Sequence, residues 1–132
     1  MFNFNSLLIS SENPKPLVEF YSMVVQSKPV WENAGFNGFK LGNGFIVIGP
    51  HDGVHGQNPS PEHIIFGMET TDVPKEFERI KATGAKVIAE PYHPSPNPEM
   101  WMATFADPDG NFFQLSTLSF WSYNPVIVVN EK

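Results

Sequence analysis

Phe105-Ala106-Asp107-Pro108-Asp109-Gly110-Asn111-Phe112-Phe113-Gln114-Leu115 reads as a strand end, a tight turn and a second strand. Pro108 presets φ, Gly110 takes a positive φ, and Asp and Asn side chains bond back to the turn amides. Its second strand has a counterpart earlier in the chain. Asn43-Gly44-Phe45-Ile46-Val47-Ile48 lines up with Gly110-Asn111-Phe112-Phe113-Gln114-Leu115, an offset of 67 residues. Asn5-Ser6-Leu7-Leu8-Ile9 lines up with Glu62-His63-Ile64-Ile65-Phe66, an offset of 57. The chain therefore carries one pattern twice. The difference between the offsets falls in the intervening loops, and the proline run at 91–98 is its natural place.

Each copy has the same order of elements. The first opens with a strand-like run at Phe4–Ser10, followed by Ser11-Glu12-Asn13-Pro14. Leu17, Phe20, Tyr21 and Val24 then fall at helical spacing. Strand-like runs follow at Pro29–Glu32, Gly35–Leu41 and Gly44–Ile48, separated by Gly and Asn turns. The second copy opens at His63–Met68. Asp72 suits an N-cap, Val73, Phe77 and Ile80 form an apolar stripe, and Gly84 suits the C′ stop. Strands are expected at Lys86–Ala89, Trp101–Phe105 and Phe112–Ser116.

The expected architecture is α+β, with two βαβββ modules at 3–50 and 61–118 in a single domain spanning 1–118. Hairpin signals predict antiparallel neighbours and short loops. One helix covers only one face of a four-stranded sheet. Two modules side by side, helices outside, would curl their sheets around a central cup. Residues 119–132 form a C-terminal extension. Its Pro125-Val126-Ile127-Val128-Val129 run is a strand-like edge that needs covering by the domain or by a second subunit.

Composition narrows the partners. The 132 residues suit one domain, and 41% hydrophobic against 17% charged residues describes a globular chain. A net charge of −6 leaves no basic stripe for nucleic acid and disfavours anionic membrane surfaces. The absence of cysteine removes disulfides, thiolate metal sites and cysteine nucleophiles together. Met1-Phe2-Asn3-Phe4-Asn5 has no basic region before its apolar run, so no secretory signal is expected. No apolar stretch approaches the roughly 20 residues of a membrane span. A cytoplasmic location is the expectation. No Gly-rich phosphate loop precedes a helix, and no Gly-x-Ser-x-Gly elbow occurs.

The turn at 107–111, the Asn13-Pro14 corner with Phe20-Tyr21, and Pro61-Glu62-His63-Ile64-Ile65-Phe66 occur in an order that resembles the vicinal-oxygen-chelate superfamily. Glyoxalases, ring-cleaving dioxygenases and bleomycin-binding proteins share that fold, and the resemblance covers roughly residues 4–118. It implies a cup that, in enzymes, holds a divalent metal through side chains on the first and last strands of each module. Carried over, those positions are Ser6, Val47, His63 and Gln114. His63 matches the family's histidine. Gln114 stands where most metal-binding members have Glu, Ser6 where they usually have His or Gln, and Val47 has no ligating atom. His63 and Gln114 alone make an incomplete metal site, so no cofactor is expected, although a divalent metal is conceivable on the resemblance.

Strand alternation puts Ser6, Leu8 and Ser10 on one face, with Phe45, Val47, His63, Ile65, Phe112, Gln114 and Ser116 on matching faces. Trp101, Phe45 and Phe112 are expected to turn inward and favour a flat or aromatic guest. A sealed core would not gather Ser, His and Gln, because buried polar groups cost free energy unless bonded. The pocket expected is Ser6, Leu8, Phe45, Val47, His63, Ile65, Trp101, Phe112 and Gln114, and no catalytic residue is assigned. His51 and His55 read as loop residues, and His93 sits in the proline loop with exposure and ligand contact evenly balanced. The charges of Lys75–Lys81 mark the wet face of the second helix.

Two functions remain. One is a metal-free protein that binds a small apolar or aromatic molecule, as bleomycin-binding relatives do, usually as dimers. The other is a metal-dependent glyoxalase-like lyase or isomerase, or a dioxygenase, using His63. A homodimer is expected for either.

Overall fold

The computed structural model describes residues 1–117; the extension at 119–132, including Pro125–Val129, lies outside the described residues. The described chain forms two compact units, residues 1–59 with 107–110, and residues 60–106 with those from Asn111 on. Each repeats the order strand, helix and three strands.

The first unit holds β1 (Ser6–Ser11), α1 (Pro14–Val25), β2 (Trp31–Asn33), β3 (Phe36–Leu41) and β4 (Gly44–Pro50), with sheet order β1-β4-β3-β2. The hairpins β2–β3 and β3–β4 are antiparallel, as the turn signals require. β1 and β4 are parallel, which corrects the expectation of antiparallel neighbours throughout. The cause is the crossover: the helix returns the chain to where β1 began, and two hairpin reversals leave β4 running with β1.

Pro14 opens α1, where its missing N–H costs nothing, and Gln26 closes it in the left-handed region at φ 57°. The helix buries Leu17, Phe20, Tyr21 and Val24, the four residues picked by spacing, against Ile9, Phe39, Ile46 and Ile48 of the sheet. Each fully buried side chain of this kind contributes about 1.5–3 kcal/mol.

The second unit holds β5 (Phe66–Thr70), α2 (Val73–Lys81), β6 (Lys86–Tyr92), β7 (Met102–Ala106) and β8 (Phe112–Thr117), in the order β5-β8-β7-β6. Asp72 caps α2 by accepting from the Lys75 N–H at 3.1 Å. Gly84 takes φ +94°, but Ala82 is the C-cap, so the glycine falls one residue later than expected. The helix buries Val73, Phe77 and Ile80, and Glu76 pairs with Arg79 at 2.7 Å on its wet side. Phe77, Phe105, Phe113 and Phe66 stack in sequence at centroid separations of 5.1, 5.7 and 5.9 Å.

Two boundaries move. β5 begins at Phe66, not His63, because Pro61–His63 is turned, with the His63 N–H bonded to Ser60 O at 3.1 Å. β6 runs through Pro91, expected to be loop. It is an edge strand with register shifts after Val87 and Ala89, so a residue without an N–H is accommodated.

The turn quoted first has the expected chemistry. Gly110 sits at φ +84°, its N–H bonds Asp107 O at 2.9 Å, and the Asp109 N–H bonds Asp107 Oδ1 at 2.9 Å. Residues 107–110 belong to the first unit. There Tyr21, Gln57 and Asn58 bond Asp107 Oδ2, Pro108 O and Asp109 O, each at 2.8 Å.

Candidate ligand-binding faces

In the first unit α1 covers one face of the sheet, and register fixes what stands on the other. Leu8 pairs with Val47, Val47 with Gly38, and Gly38 with Trp31, so these four form one row across all four strands. Ser6, Phe45 and Lys40 form the next row. The four first-unit residues expected on a common face, Ser6, Leu8, Phe45 and Val47, are therefore on it. Leu8 is 56% exposed, while Phe45 and Val47 are half-buried.

Two aromatics that sequence reasoning missed also lie here. A Cβ on Gly38 would be 2.3 Å from Cε2 of Trp31, so the indole occupies the space that a side chain would fill. A Cβ on Gly49 would likewise be 2.1 Å from Cδ2 of Phe36. The available signal was a glycine inside a strand, which marks close approach by another group. Lys40 Nζ lies 5.2 Å from the Phe45 ring centroid, within cation–π range.

In the second unit Gly67, Gln114, Thr104 and Ala89 form one row. Small neighbours thus flank Gln114. Its Nε2 donates to Thr104 Oγ1 at 3.3 Å, which leaves Oε1 as an acceptor. Phe112 and Ser116 share this face by alternation, Phe112 half-buried and Ser116 buried. Ile65, 37% exposed, precedes β5 at the same parity.

Two expected members stand elsewhere. His63 is exposed in the turn before β5. The ladders pair Leu7 with Ile46 and Phe66 with Phe113, giving an offset of 59 between β1 and β5 beside 67 between β4 and β8. Ile65, not His63, is thus the ladder counterpart of Ser6. Trp101 continues β7 opposite Thr117, and alternation sets it with Ala103 and Phe105, not with Thr104 and Gln114. It packs on His93 at a centroid distance of 4.0 Å, and His93 Nδ1 lies 2.8 Å from Met100 O. His51 and His55 are exposed, with His51 Nδ1 accepting from Gly53 N–H at 2.9 Å.

Among the described residues no three His, Cys, Asp or Glu lie together as a metal-binding group. Nor is any helix of the described chain long and apolar enough to cross a membrane.

A glyoxalase-like domain family model matches residues 6–116. A search of curated proteins finds no match. Among solved structures, a glyoxalase/bleomycin resistance protein/dioxygenase family enzyme from Burkholderia phytofirmans is 18% identical at TM-score 0.68, covering 86% of this chain and 97% of its own. A lactoylglutathione lyase from Agrobacterium tumefaciens is 18% identical at TM-score 0.70, covering 92% and 98%. A fosfomycin resistance protein from Listeria monocytogenes is 16% identical at TM-score 0.67, covering 92% and 95%. At these identities the likeness concerns the fold.

Proposed function

We propose that this chain, which belongs to the glyoxalase-like domain family of the vicinal-oxygen-chelate superfamily, is a metal-independent binder of a small apolar or aromatic molecule. The observation that carries this is the face of the first sheet opposite α1. There Trp31 and Phe36 lie over Gly38 and Gly49, beside Phe45, Val47 and Leu8. Aromatic faces that are only partly buried suit a flat guest, because stacking adds to the area removed from water.

The metal positions implied by the family do not fit a metal. Val47 has no donor atom, Ser6 carries a neutral hydroxyl, and Gln114 offers a neutral amide engaged with Thr104. His63 is a single imidazole in a turn. Catalytic zinc wants three protein ligands, and a non-haem iron site wants two His and a carboxylate. Two neutral ligands supply neither the count nor the charge. A lyase, isomerase or dioxygenase mechanism through a metal therefore lacks its ligand set, although family neighbours include a lactoylglutathione lyase.

A homodimer in the cytoplasm completes the proposal, argued from the family and from composition. Light scattering should give about twice the 14.8 kDa chain mass, and a monomer at high concentration would contradict that part. The binding itself is tested by thermal-shift screening against small aromatic compounds, repeated on Trp31→Ala. Hits that stabilise the wild type and not the variant are expected. Hits that shift both equally would remove the first sheet from the account.

A further inference from the structure

Lys40 stands with Trp31, Phe45 and Val47 on the face of the first sheet opposite α1, and it has no carboxylate partner among the described residues. Its ammonium is over an aromatic ring, a contact that leaves donors free for a guest. Lys40 and Gly38 are two residues apart on β3, so their rows are about 7 Å apart. A bicyclic ring resting beside Trp31 and Val47 can therefore place an attached anionic group within reach of the flexible Lys40 stem. The Ser6 hydroxyl stands on the same row as Lys40, across Phe45, and can add a donor.

From this juxtaposition we propose that the ligand class is a planar aromatic acid, its ring against Trp31 and Phe45 and its carboxylate paired with Lys40. The inference rests on the small-molecule-binding role argued above and adds the charge of the guest. An ion pair beside an aromatic surface is screened less than one fully in water, so the charge contributes to affinity as well as to orientation.

The test uses 2-naphthoate and its neutral counterpart 2-naphthamide, measured by calorimetric titration of the full chain at low salt. Naphthoate should bind about two- to fivefold more tightly than naphthamide, up to about 1 kcal/mol, as for an exposed ion pair. Lys40→Gln should abolish that preference, so that the two probes bind it alike, and Lys40→Arg should keep it. Equal melting temperatures would establish that each variant is folded. Equal binding of the two probes by the wild type, or a preference that survives Lys40→Gln, would overturn the acid while leaving the aromatic binder standing. Failure of both probes to bind would overturn both.

Discussion

Tyr21 Oη donates a buried hydrogen bond of 2.8 Å to Oδ2 of Asp107, 86 residues away in sequence. Helix α1 supplies one partner and the turn at 107–110 the other, so the bond ties the most distant parts of the first unit together. A carboxylate buried without its donor would carry an uncompensated desolvation cost.

Tyr21→Phe keeps the ring, its apolar contacts and its edge-to-face packing on Phe20. It removes only the donor. Stability should fall by about 1.5–3 kcal/mol, the range for bonds to charged groups. Urea denaturation should show a lower midpoint with an unchanged slope. An unchanged midpoint would mean that the bonds from Gln57, Asn58 and within the turn hold it without Tyr21.

The same pair predicts alkaline behaviour. Burial first, then the charge and hydrogen bond of Asp107, and then the charge of Asp109, raise the Tyr21 hydroxyl well above its usual value near 10. A raised folded-state pKa gives stabilisation that is complete below the unfolded value of about 10 and is lost as pH rises through the higher folded value. Wild-type stability should therefore decline above about pH 10, and Tyr21→Phe should flatten that decline. In tyrosinate absorbance, one of the three tyrosines should ionise only as the chain unfolds. Three ordinary titrations in the folded protein would contradict this.

Gly38→Ala is predicted to lift the Trp31 indole off the sheet, because the added Cβ would lie 2.3 Å from Cε2. Overpacking of this kind typically costs about 1–3 kcal/mol. Tryptophan emission should shift to the red, and affinity for aromatic compounds should drop about tenfold if Trp31 supplies a stacking contact of ordinary strength. A variant with wild-type emission and affinity would show that the indole is not part of the site.

Much of the fold was legible because each signal was local. Leu17, Phe20, Tyr21 and Val24 declared α1 by spacing, Asp72 declared the start of α2, and Phe45–Ile48 matched Phe112–Leu115 as the last strand of each sheet. What failed needed partners. The start of β5 depends on where β8 supplies a ladder, and Phe66 pairs with Phe113 while His63 has no strand opposite. Pro91 sits in β6 because that strand is an edge. Trp31 and Phe36 belong to the candidate site only because glycines stand opposite them, and that pairing is invisible until register is known. Trp101 is expected to turn into the cup, and alternation along β7 sets it with Ala103 and Phe105, not with Thr104.

Gln114→Glu should raise affinity for divalent ions, since it puts a carboxylate in the row with Gly67, Thr104 and Ala89. The gain should stay modest, because Gly67, Thr104 and Ala89 add no further charge. The Thr104 hydroxyl can rotate to donate to the new carboxylate, so stability should change little. Calorimetric titration with Zn²⁺ and Mn²⁺ measures the first effect. No increase over wild type would mean that position 114 does not face a site where an ion can sit.

Elemental analysis of the purified wild-type protein tests metal independence most directly. The account predicts well under one divalent ion per chain and a melting temperature unmoved by EDTA. One tightly held ion per chain, lost on His63→Ala, would contradict it.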